Sequence, residues 1–384
     1  MASESLIIVG SCDEPMRGRL CALHGGDGSP CWERWTGHPL AGAGLALTGN
    51  IVIAASDDRS LTAWRVGDGA PLWEVTLPER QEMPPARGAT RVVATSNLAA
   101  VLHGKSVFAV NPYTGALLWE YACPDPVRFA GLLGLGRSQV YVAEILPPPP
   151  SPPQRPGFPP SRDQQPGLRC ATRALSLKDG TPQWTTEEHS AALPASDGAT
   201  SLLERNGAVY AYGNRLHALD AATGALIWSQ AATPSLQGSA LVLWQDLLVA
   251  MYFSDLSAYS RLSGTSIWQV SARQLATSLG TFNQVFVMGD TVYTVHGVGS
   301  HQAGYLEGRN PVTGAVTMQW PDEPTMLRSD VAWRFCGVDG VLFVPNSDST
   351  GENLHAIRAT DGKELWQTRL SCQSDALLVV SATA

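Results

Sequence analysis

The chain has 384 residues with 37 Gly, 27 Pro and 12 Trp, and only 16% of its residues are charged. An apolar content of 44% excludes general disorder, because such a chain can bury a sizeable core, and the Gly and Pro content excludes a helical bundle. The formal charge of −8, without a dense Lys/Arg cluster, leaves no expectation of nucleic acid as a partner.

The first element is the apolar run Leu6 to Val9, which reads as a β-strand. Val9-Gly10-Ser11-Cys12 loosely matches a bacterial lipobox. However, Glu4 is acidic where a basic region belongs, and the apolar run is far shorter than the roughly 7–15 residues of a signal core. No run reaches the roughly 18 apolar residues of a membrane span, so no membrane insertion is expected. The seven cysteines are scattered and form no C-x-x-C pair. They read as free thiols in a reducing compartment, and a cytoplasmic location is expected.

From Ala22 onward the chain repeats itself. The pattern A-x5-G-x3-W recurs as Ala22/Gly28/Trp32, Ala63/Gly69/Trp73, Ala109/Gly115/Trp119, Ala174/Gly180/Trp184, Ala218/Gly224/Trp228, Ala258/Gly264/Trp268 and Ala356/Gly362/Trp366. A degenerate copy sits between the last two, with Gly308, Gly314 and Met318 in the three places. Successive intervals at the last position are 41, 46, 65, 44, 40, 50 and 48 residues, so eight units nearly exhaust the chain. In most units apolar residues stand two before the Ala and directly after it, which predicts a strand. A turn such as Asp-Ala-Ala-Thr-Gly follows, where Gly supplies a positive φ, and then a short strand carrying the Trp. Two more strand candidates lie upstream in each unit, for example 199–203 and 208–211. Four short antiparallel strands repeated around a closed ring make a β-propeller.

These residues resemble the tryptophan-docking motif of the quinoprotein-type, or PQQ-repeat, propeller family. The resemblance spans the whole chain and implies an all-β, eight-bladed propeller of four-stranded antiparallel blades, one domain over 1–384. It also implies that each Trp stacks on the neighbouring blade, with the small Ala giving it room. Met318 then predicts a softer contact, with Trp320 as a partial substitute. The first unit lacks an innermost strand, and the tail run Ala376 to Val380 is expected to supply it and close the ring.

The Gly turns all fall on one face of such a ring. The variable segments fall on the other: the Pro-rich insertion 147–167 in the fourth repeat, His296 to Gly304, and Asn346 to Glu352. Binding to a protein or a small-molecule ligand is expected on that face and in the central funnel. The blade-to-blade links offer the candidate chemistry. Glu188, His189 and Asp197 form an acid/base group, while Arg128, Arg273, Arg328, Asp330, Trp333 and His38 are candidate substrate-binding residues. Arg87, Arg91 and Glu187 belong to the same search. His296 and His301 lack an assignable third ligand, so no metal is expected.

Quinoprotein dehydrogenases are longer and exported and carry an adjacent cysteine pair, which this chain lacks, so no cofactor is expected. The outer-membrane assembly lipoprotein is similar in length and blade number. The sequence is therefore read as a non-catalytic binding or scaffolding propeller. The alternative is a metal-free cyclase, lyase or hydrolase working by acid/base chemistry in the funnel.

Overall fold

The computed structural model describes residues 5–13, 17–79, 90–124, 129–146, 169–189, 202–212, 215–231, 239–252, 255–271, 281–298, 303–326, 335–348, 351–370 and 374–380. They form 32 β-strands, and no helix occurs among the described residues. The strands make eight four-stranded antiparallel blades, and blades 2 to 8 run in chain order from an innermost to an outermost strand. Blade 1 spans 6–35, and blades 2 to 8 span 40–76, 91–122, 129–189, 202–231, 239–271, 281–326 and 336–370. The innermost strands of blades 2 and 3 also touch through one parallel bridge between Ala43 and Arg91. Among the described residues no helix is long and apolar enough to cross a membrane.

Blade 1 obtains its innermost strand from the other end of the chain, as expected. Ser374–Val380 pairs antiparallel with Leu6–Asp13, from Leu6 opposite Val380 to Gly10 opposite Ala376. The ring is therefore closed by main-chain hydrogen bonds between its two ends, and blade 1 has no open inner edge.

The repeat spacing follows from one hairpin geometry. Each Ala lies directly opposite its own Trp, as Ala22 opposite Trp32 and Ala218 opposite Trp228, and the register shifts immediately after the Ala. In the turn of blade 5, Asp220 Oδ1 accepts hydrogen bonds from the Ala222 and Thr223 backbone N–H groups and from the Thr223 hydroxyl. Gly224 then closes the turn with φ +72 and donates its N–H to the Asp220 carbonyl.

The indole of each Trp leaves its own blade and lies on the next. Its Nε1–H donates to a carbonyl of the following blade at 2.7–3.1 Å: Trp32 to Val66, Trp73 to Pro112, Trp119 to Leu177, Trp184 to Ala221, Trp228 to Arg261, Trp268 to Pro311, and Trp366 to Gly25. The ring covers the turn glycine of that blade. A Cβ at Gly69, Gly115, Gly180, Gly224, Gly264, Gly314 or Gly28 would sit 2.5–2.8 Å from it. The Ala is the cross-strand partner of the Trp within the blade, and the glycine of the next blade also admits the ring.

Blade 7 solves the same contact with other atoms. Met318 faces Gly362 of blade 8, where a Cβ would lie 3.4–3.5 Å from its Sδ and Cγ, looser than beneath an indole. Trp320 does not enter this pocket but packs two residues further on, against His355 at 5.0 Å between ring centroids. The carbonyl that an indole would have used, Ala359, instead accepts the Tyr293 hydroxyl at 3.1 Å.

Deletion of residues 372–384 removes the closing strand, and thermal unfolding should begin at a much lower temperature than in the full chain. Tyr293→Phe leaves the buried Ala359 carbonyl unpaired, a loss of about 1–2 kcal/mol, and should lower the melting midpoint by about 1–3 °C. Tyr210→Phe should lower it less, because the Arg261 carbonyl it faces at 3.5 Å is already served by Trp228.

Candidate functional site

In an antiparallel blade, the turns between second and third strands share a face with the blade-to-blade links. On that face blades 1 to 3 bring together a polar cluster. His38 comes from the link between blades 1 and 2, and Asp57, Asp58 and Arg59 from the turn between Ile51–Ser56 and Ser60–Arg65. Glu74 stands on the outermost strand of blade 2, Pro71–Thr76. Thr90 precedes the innermost strand of blade 3, and His103 ends its second strand, Ala99–His103.

The link is fixed from both sides. The His38 carbonyl accepts the Gly18 backbone N–H at 2.8 Å and the Thr36 hydroxyl at 2.6 Å, and the Ser56 hydroxyl donates to the Pro39 carbonyl. The His38 ring then lies between two carboxylates, with Nδ1 at 2.7 Å from Asp58 Oδ2 and Nε2 at 3.3 Å from Glu74 Oε1. Asp58 also accepts the Ser60 backbone N–H at 3.0 Å. Arg59 holds φ at +75, a backbone region an L-residue occupies at a cost. Its guanidinium reaches the Leu77 carbonyl at 3.3 Å and Glu79 at 3.8 Å. His103 Nδ1 lies 3.0 Å from the hydroxyl of the fully buried Thr90.

The two imidazoles are pushed in opposite directions. Partial burial alone would lower the His38 pKa, but the hydrogen bonds and charges of Asp58 and Glu74 outweigh it and raise it. For Asp58, burial opposes ionisation, and the Ser60 N–H and His38 together bring its pKa below the usual value. His103 is lowered, chiefly by burial and further by Arg59, against the pull of Asp57 and Asp58. Asp58 and Glu74 thus favour the protonated form of His38, whose two ring nitrogens are both engaged in holding the link. Burial favours the neutral form of His103, which makes it the more base-like member of the pair.

Of the residues singled out in the sequence, His38 enters this cluster. Arg91 begins the innermost strand of blade 3 and is buried. Glu187, Glu188 and His189 do not lie in a link, as had been expected. They continue the outermost strand of blade 4, Pro182–His189, with Glu188 opposite Cys170 and His189 opposite Arg169. The alternating stretch after Trp184 keeps pairing to its end, and this carries all three to the perimeter of the ring. Asp197, Arg87, Arg128, Arg273, His301, Arg328, Asp330 and Trp333 lie outside the described residues, as does the insertion 147–167. His296 is opposite Tyr305 in blade 7. Among the described residues no group of three His, Cys, Asp or Glu side chains is placed to hold a metal ion. Asp58, Glu74 and His103 lie outside the links, where the candidate residues of the sequence were placed, and Thr90 lies in a link but carries no titratable group. Asp58 and His103 belong to second-to-third turns on the same face, a placement that the repeat arithmetic already implies.

The family model described as outer membrane protein assembly factor BamB matches residues 2–131 and 171–321. The chain belongs to this PQQ-repeat propeller family. The structure of BamB from Moraxella catarrhalis superposes with a TM-score of 0.57 at 15% identity, over 91% of this chain and 90% of that one. Apo AztD from Citrobacter koseri superposes with a TM-score of 0.65 at 11% identity, over 99% and 98%. The quinohemoprotein alcohol dehydrogenase from Comamonas testosteroni gives 0.56 at 12% identity, covering 84% of this chain and 66% of the longer dehydrogenase. No curated protein sequence matches the chain. At these identities the structural likenesses establish the eight-bladed architecture.

The histidine pair gives a pH signature with opposite signs. The raised pKa of His38 means that its ion pairs stabilise the fold fully below about pH 6.5 and are lost as pH rises through the folded-state value. The lowered pKa of His103 means that its contribution is present above about pH 6.5 and is lost as pH falls through its own folded-state value. Imidazole NMR titration should therefore place His38 above the free value and His103 below it, and Asp58→Asn should move His38 downward.

Proposed function

We propose that the chain is a non-catalytic binding or scaffolding propeller, working as one domain, that recognises a protein or small-molecule partner through the variable-loop face and the central funnel. The supporting observation is the contrast between the two faces. Every third-to-outermost turn has one length and ends in a glycine with φ between 64 and 74. The opposite face is joined by segments that range from two residues, as at 213–214 and 253–254, to the stretch 147–168. A scaffold held constant on one side and varied on the other is the pattern of a recognition surface.

The described polar cluster on that face agrees with this reading, since His38, Asp58 and Glu74 are engaged with one another rather than aimed at a reacting atom. BamB, named for outer membrane protein assembly, supports a protein-binding role within the family. The cytoplasm is proposed as the working compartment, as the scattered cysteines of the sequence suggest.

The reading is tested by photo-crosslinking in cells. Benzoylphenylalanine in place of Glu79, on the variable face, should give a discrete adduct. The same group in place of Lys363, on the Gly-turn face of blade 8, should not. Adducts from position 363 with none from 79 would reverse the assignment of the faces.

A further inference from the structure

The Gly-turn face also carries a site, at the joint between blades 4 and 5. A cleft of about 420 Å³ is lined by Arg137, Glu204, Arg205 and Asn206. Arg137 lies in the turn between Phe129–Leu135 and Gln139–Leu146, and Asn206 in the turn between Leu202–Arg205 and Ala208–Tyr212. The second turn is an Asn-Gly hairpin with φ of +52 and +78, so the backbone that presents Arg205 is preorganised.

Glu204 is already committed across the joint. Its Oε2 accepts the Tyr141 hydroxyl at 2.7 Å and the Arg137 backbone N–H at 3.2 Å. Gly136 makes this approach feasible, since a Cβ there would collide with the carboxylate. Among the described residues, no partner engages the guanidinium groups of Arg137 and Arg205. This is exceptional in an acidic chain. Every other arginine whose side chain is described is engaged, as in the pairs of Arg173 with Glu144, Arg261 with Asp246 and Arg309 with Glu307.

We propose that this cleft binds a carboxylate presented by an extended peptide segment. Guanidinium forks match a planar carboxylate with paired hydrogen bonds. The fixed negative charge of Glu204 leaves the site one net positive charge, which suits a monoanion and disfavours a phosphate dianion. A peptide is favoured over a free small acid by what adjoins the cleft. The Ala221 N–H donates to the Gly207 carbonyl at 2.8 Å, joining this turn to the outer turn of blade 5. Beyond it, the edge strand Leu226–Ala231 bears no charged residue and exposes Leu226 and Ile227 at 58% and 51%.

The experiment uses the full chain with ¹⁵N-labelled arginine. Its Nε–Hε signals are followed during titration with an acetylated and amidated hexapeptide carrying one Glu among Thr and Val residues, with propionate, and with inorganic phosphate. The expected result is saturable movement of the Arg137 and Arg205 signals by the peptide at lower concentration than by either small anion. Arg137→Gln and Arg205→Gln should each weaken peptide binding at least tenfold, while Arg65→Gln in blade 2 leaves it unchanged. Both arginines are exposed, so unchanged melting of the variants verifies that they fold. Absent shifts, equal potency of propionate or phosphate, or undiminished binding by the double variant would each overturn the proposal.

Discussion

An indole ring laid over a glycine of the following blade is the contact on which the remaining structure depends. A four-stranded blade has two broad faces and cannot cover either one by itself. Each Trp joins its blade to the next by apolar area and by one directed hydrogen bond to a carbonyl. Removing a buried ring of this kind costs about 3–5 kcal/mol, a large fraction of a domain's net stability. Because the donor and acceptor recur at the same places, the angle between blades recurs too. The ring then meets itself at Trp366 over Gly28.

Departures from that contact show what the interface requires. At Met318 the indole is missing, yet the acceptor carbonyl remains satisfied, because the Tyr293 hydroxyl reaches Ala359. Trp320 restores aromatic area one step along the strand against His355. Between blades 3 and 4 a second kind of contact is added. Glu144, fully buried, receives the Arg173 guanidinium at 2.7 and 2.9 Å and the Tyr121 hydroxyl at 3.1 Å. Burial and the neighbouring Glu144 charge push the Tyr121 phenol upward, which keeps it a donor. Loss of any one member would strand a charge or acceptor in the interior, so the group specifies which surfaces meet.

The regular core constrains the two faces differently. On the Gly-turn side the docking rings dictate both turn length and backbone conformation, so little freedom remains there beyond side chains such as Arg137 and Arg205. On the other side the connections are not in the docking contact and vary in length. The His38, Asp58 and Glu74 group ties one such link to blade 2. Burial of His103 nearby lowers its pKa.

The amino-acid order by itself determined the blade count, the turn positions and the closing strand, because each rests on local spacing. An Ala and a Trp ten residues apart make one hairpin geometry, and Leu6 to Gly10 without an inner partner requires the run Ala376 to Val380. Only the tertiary structure decided which residues share a site. His38, Asp58 and Glu74 are far apart in the chain, and their meeting depends on the angle between blades 1 and 2. It also decided that Glu187 to His189 run along an outermost strand, since pairing with 169–171 competes with any turn into a link. The double duty of the glycines became visible the same way. A positive φ can be anticipated from the turn, whereas the space they leave for an indole belongs to the blade before.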